Sequence, residues 1–98
     1  MITEIVTFTI PDGMSREEVI ALYEKSAPQW QANAELLRKN YLYDGDTGRG
    51  GGIYTWKTKA AALEGHGEAF RERIRASFGC EPEFAYYDTP IVVDNEHG

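Results

Sequence analysis

The chain is expected to fold as a ferredoxin-like α+β domain, βαββαβ in order, with a four-stranded antiparallel sheet and two helices on one face. Three observations predict this. The 98 residues hold one core and no more. Segments with a period of two alternate with helical stripes in that order. Right-handed crossovers then bring both helices to one side and place the first and third strands in the middle.

In residues 2–10, Val6, Phe8 and Ile10 fall on one face and Ile5, Thr7 and Thr9 on the other, the alternation of a first strand. After the turn at Pro11-Asp12-Gly13, Ser15 and Glu18 form a capping-box pattern, so the first helix begins near Arg16. Val19, Tyr23, Ser26, Ala27 and Trp30 make its stripe; Pro28, lacking an N–H, is expected to kink or restart it. Residues 36–43 read as the second strand. Residues 44–52 are rich in glycine and read as a wide hairpin loop. The third strand is expected at 53–57, with Tyr54 and Trp56 opposite Ile53 and Thr55. Thr58 can cap the second helix, and Leu63, Phe70, Ile74 and Phe78 form its stripe, bent by Gly65 and Gly67 and stopped by Gly79. Residues 84–89 complete the sheet, ahead of an apolar tail, Ile91-Val92-Val93.

With 16 acidic against 10 basic side chains the net charge is −6, which disfavours nucleic acid as a partner. Arg71, Arg73 and Arg75 alternate with Glu68 and Glu72 and read as intrahelical pairs. No apolar run is long enough to span a membrane, and no leader is visible. One cysteine, Cys80, fits a reducing compartment, so the expected location is the cytoplasm. His66 and His97 are far apart and lack further ligands at metal-binding spacing, so neither a metal nor another cofactor is expected.

Both faces of the sheet carry large apolar groups: Ile5 opposite Val6 and Phe8, Ile53 opposite Tyr54 and Trp56, Tyr87 opposite Phe84 and Tyr86. Helices cover only one face. The other face is expected to find its cover in a second copy of the chain, as a homodimer.

The strings Gly51-Gly52-Ile53-Tyr54-Thr55-Trp56 and Asp88-Thr89-Pro90-Ile91-Val92-Val93-Asp94-Asn95 resemble the small monooxygenases of the YdhR type. So do the alanines after the third strand, the helix ending at Trp30 and the strand carrying Lys39-Asn40-Tyr41-Leu42. These proteins belong to the dimeric α/β-barrel superfamily, with the antibiotic-biosynthesis and quinol monooxygenases. The resemblance implies a homodimer with an aromatic pocket in each protomer, and oxidation of a polycyclic or quinol-like compound by oxygen without metal or flavin. Some members degrade haem with a histidine on the second helix and an asparagine on the first strand; His66 matches the former, but Thr7 and Thr9 stand where the asparagine is wanted.

Such chemistry needs flat walls, a base and a donor for an oxyanion. The candidate catalytic residues are His66, a base if the helix bend aims it at the pocket, with Tyr54 and Trp56. The candidate substrate-binding residues are Trp30, Tyr41, Tyr43, Tyr86 and Asn40. Asn40, Arg38 and Lys39 lie on the second strand, where one face could offer a donor to an oxyanion; as an ordinary edge-strand pattern they would simply keep the sheet soluble. Two functions share this reading: a cofactor-independent monooxygenase for a small aromatic, quinol-like or polyketide-like compound, and a non-catalytic binding or sensing dimer using the same pocket.

Overall fold

The structure is a computed structural model, described here for residues 1–96. Its elements are β1 (Ile2–Thr9), α1 (Arg16–Gln31), β2 (Leu36–Asp44), β3 (Arg49–Trp56), α2 (Lys59–Gly65), α3 (Glu68–Phe78) and β4 (Glu83–Asp88). The sheet is antiparallel throughout and ordered β2-β3-β1-β4, so β1 and β3 are central, as expected. Its helix-facing side buries Ile2, Val6, Phe8, Tyr54 and Trp56, which meet Val19 and Trp30 of α1 and Phe70, Ile74 and Phe78 of α3. Each large side chain buried there contributes about 1.5–3 kcal/mol by leaving water.

The local signals mostly hold. Ser15 Oγ accepts the Glu18 N–H while the Glu18 carboxylate accepts the Ser15 N–H, completing the capping box. Thr58 caps α2 by accepting the Ala61 N–H. Pro28 does not restart the helix: α1 runs on to Gln31, closed by the Ala32 N–H donating to the Pro28 carbonyl.

Three expectations are corrected. The glycine segment is not a wide loop, because β3 begins at Arg49 and Gly50, Gly51 and Gly52 pair with Phe8, Thr7 and Val6 of β1. Glycine is required there: a Cβ on Gly51 would lie 1.9 Å from the Val6 carbonyl oxygen, and its φ is +150°. The second helix is not one bent rod but two, α2 and α3, parted at His66 and Gly67. Gly65, at the end of α2, lets the chain pass over Trp56, whose ring carbon Cη2 would be 2.6 Å from a Cβ. Leu63 is 53% exposed and takes no part in the stripe; Ala62 faces the core instead.

The far face of the sheet carries Ile5, Ile53 and Leu42, half-buried, and Tyr87, exposed. The tail crosses one end of that face. Thr89 hydrogen-bonds to Thr3 through their hydroxyls at 2.5 Å, and Glu96 lies 3.6 Å from Arg38 on the opposite edge strand. Ile91, Val92 and Val93 nevertheless remain exposed. Among the described residues no helix is long and apolar enough to cross a membrane.

Candidate functional site

A cavity of about 330 Å³ lies between the sheet and the pair α1 and α3, the size and place expected of a small-molecule site. Tyr41 and Tyr54 form its sheet wall, Trp30 closes one end, and Phe70 and Phe78 come from α3. Tyr23 fixes α1 to the sheet. Its hydroxyl donates to the Leu42 carbonyl at 2.8 Å and accepts the Gly51 N–H at 3.1 Å, while its ring stacks on Tyr41 at 4.7 Å. The Tyr41 hydroxyl is held in turn by Ser26 Oγ at 2.6 Å.

Into this ring set reaches Lys39. Its Nζ is 3.8 Å from the ring centre of Tyr41, 4.5 Å from that of Tyr54 and 4.6 Å from that of Trp30, a cation–π cage built from β2, β3 and α1. Among the described residues it has no carboxylate partner. Burial, reinforced by the nearby Arg73 guanidinium, pushes its pKa down to about 7. The Tyr54 phenol is driven the other way, first by burial and then by the fields of Tyr41, Glu4 and Tyr23, so it stays protonated. The Tyr54 hydroxyl makes no hydrogen bond to any other described residue, which leaves its O–H available as a donor. A titratable amine and a neutral phenol therefore share one aromatic cavity.

Behind the cavity wall lies a second polar cluster. Glu4, 0% exposed in β1, accepts the Trp56 indole N–H at 2.8 Å through Oε1. His66 Nδ1 is 2.7 Å from the same oxygen, an ion-pair distance without the alignment of a hydrogen bond. Glu4 Oε2 and His66 Nε2 have no hydrogen-bond partner among the described residues. The imidazole is packed among Tyr54, Phe70 and Trp30, with ring centres 4.4, 4.3 and 5.1 Å away. Glu4→Leu should therefore cost about 3 kcal/mol in urea denaturation, because it strands both the indole and the imidazole. Adding His66→Phe should recover at least half of that loss, since apolar groups can replace both partners; a double variant no more stable than the single one would show that the two do not act as a pair.

Of the residues the sequence singled out, Trp30, Tyr41 and Tyr54 line the cavity. Trp56 and His66 stand behind it, so the bend at His66 turns the ring into the core rather than toward the ligand space. Tyr43 borders a separate cleft between α1 and β2, with Arg16 and Glu24. Tyr86 stacks on Phe84 at the β4 edge, its pKa raised to about 12 by burial and by the charge of Glu4. Asn40 pairs with Ile53 and points to the far face, away from the cavity. Glu4 was missed, and Lys39 was ranked below its bland reading because a lysine on an edge strand usually only keeps it soluble. Its offset of two from Tyr41 was the usable signal, since it puts both on one face. His97 lies outside the described residues. No group of three His, Cys, Asp or Glu that could hold a metal occurs among the described residues.

No family model matches the sequence, and no curated protein matches it. The fold does match solved structures. A crystal structure of an antibiotic biosynthesis monooxygenase superposes with a TM-score of 0.70 at 19% identity, over 91% of this chain and 98% of that one. The monooxygenase from the gene ActVA-Orf6 of Streptomyces coelicolor, solved with Nanaomycin D, gives 0.71 at 13% identity, over 94% and 89%. SnoaB, a cofactor-independent oxygenase from Streptomyces nogalater, gives 0.66 at 16% identity, over 94% and 95%. At these identities the likeness establishes the fold: the chain has the ferredoxin-like architecture of the antibiotic biosynthesis monooxygenases.

Proposed function

We propose that the chain is a cofactor-independent monooxygenase of an electron-rich aromatic compound, quinol- or polyketide-like, allied to the YdhR-type enzymes and acting as a cytoplasmic homodimer. The observation that carries this reading is Lys39, a near-neutral amine held against Trp30, Tyr41 and Tyr54 in a cavity sized for a flat ring. The free amine takes the proton of a ring hydroxyl. The resulting ammonium, with the Tyr54 O–H, then holds the aryloxide. Ionisation makes the ring rich enough in electrons to reduce oxygen itself. For an anthrone-type ring, a CH₂ becomes C=O; one oxygen atom enters the product and the other leaves as water with the two hydrogens. His66 and Trp56 support the Tyr54 and Trp30 rings from behind.

The dimer reading rests on Ile5, Ile53, Leu42 and Tyr87 on the far face, together with the exposed Ile91 to Val93. Two such faces laid together would bury what one protomer leaves open.

An oxygen electrode tests the activity. An anthrone or naphthohydroquinone should consume oxygen at least tenfold faster with protein than in buffer, and a panel consumed no faster would remove the enzyme reading. Ligand binding without oxygen uptake would instead favour a sensing module. Sedimentation at micromolar concentration tests the dimer, which a clean monomer would refute.

A further inference from the structure

The charge of the cavity runs against that of the chain. The protein carries 16 acidic and 10 basic side chains, yet the cavity is lined by Lys25, Lys39 and Arg73 and by no aspartate or glutamate. Among the described residues none of the three is in an ion pair. Elsewhere Arg75 is held between Glu68 and Glu81, Arg38 meets Glu96 and Arg49 donates to Thr7, while Arg16, Lys59 and Arg71 each lie over a single ring outside this cavity. The expected pairing along α3 thus engages Arg75 and leaves Arg73 at the cavity.

Position separates the three cations. Lys39 sits among the rings, whereas Lys25 on α1 and Arg73 on α3 are exposed and stand at the opening. An aryloxide held by Lys39 and Tyr54 needs no further cation. Burial lowers the pKa of Lys39 first, and the unpaired Arg73 guanidinium adds to it; an anion bound between the mouth cations offsets the repulsion of like charges. A guanidinium is moreover suited to a carboxylate, which it can grip with two parallel N–H donors.

We propose that the ligand is an aromatic acid, a flat ring system bearing a carboxylate that Arg73 and Lys25 recognise at the opening while the ring lies over Lys39. This rests on the assignment of the cavity as the substrate site. It adds a specificity that the aromatic walls cannot supply, since rings select flatness and not charge.

Binding of two redox-stable probes of nearly equal shape, 2-naphthoate and 2-naphthamide, tests it through quenching of the tryptophan fluorescence at pH 7. The acid should bind at least about tenfold more tightly than the amide, as a charge-assisted pair predicts. Added salt should erode that preference, because both mouth cations are exposed. Arg73→Gln should cut the preference to about threefold, and Lys25→Gln with Arg73→Gln should abolish it. Equal binding of the two probes, or a preference that survives in the double variant, overturns the inference and leaves the cavity assignment standing. Binding of neither probe overturns both. A third probe, 2-naphthol, separates a carboxylate from a ring oxyanion as the preferred anion. If its bound form ionises at neutral pH and binds as tightly as naphthoate, the mouth cations are not reading a carboxylate and the inference fails.

Discussion

Gly51→Ala is expected to leave no stably folded protein. The added Cβ would lie 1.9 Å from the Val6 carbonyl oxygen and 3.0 Å from the Thr7 Cα, both backbone atoms of the neighbouring central strand, which cannot swing aside. The residue also has φ +150°, where a side chain is strained whatever the space. Either relief, separating β1 from β3 or rotating the backbone, breaks the ladder at the middle of the sheet. The cost should exceed about 4 kcal/mol, a large part of the 5–15 kcal/mol that holds a domain together. Gly67→Ala is the control: its Cβ would meet nothing closer than the Glu64 carbonyl at 3.7 Å, so a shift within about 1 kcal/mol is expected. Urea denaturation followed by circular dichroism distinguishes the two. A Gly51→Ala protein with an unchanged midpoint would mean that β1 and β3 are not packed as described.

The second large effect is on Lys39. Lys39→Met should lower oxygen uptake by about a hundredfold, the usual contribution of a positioned base, while the aromatic walls still bind the ring. In the unaltered protein the rate should climb with pH through about 7 and then level off, as the amine loses its proton; in the variant that inflection should vanish. Stability should move the opposite way. Because the folded-state pKa is lowered from 10.5 to about 7, the unfolded chain holds the extra proton across that window, and stability from this group rises with pH. Lys39→Met should therefore be more stable than the parent at pH 7, with the difference shrinking toward pH 10. A variant that is both inactive and destabilised at pH 7 would point to a packing role instead.

Much of the architecture was legible because its signals are local. Ser15 and Glu18 are three residues apart and satisfy each other, and the alternation through β1 needs only one strand to be read. The glycines of β3 misled because glycine leaves no side-chain pattern; what demands Gly51 is the Val6 backbone, more than forty residues away in sequence. The site was harder to read. Tyr54, Tyr41 and Trp30 were visible as aromatics, but that Tyr54 and Tyr41 share one side of the sheet follows only from the pairing of their strands. Glu4 drew no reading from the sequence, because its partners, Trp56 and His66, come from the far half of the chain. Lys39 looked like a solubilising edge charge, since three rings from three separate elements make its environment. Residues defined by long-range company carry little trace of it in sequence.

The proposed chemistry requires Lys39 to be a near-neutral amine inside a ligand cavity. Titration of its side chain by NMR in protein containing ¹³C-labelled lysine, assigned by its absence in Lys39→Met, measures this directly. The predicted midpoint is about 7, with a resonance shifted by the surrounding rings and a midpoint that rises when 2-naphthoate is added. A midpoint at the ordinary 10.5 of a free lysine, unmoved by the ligand, would contradict it.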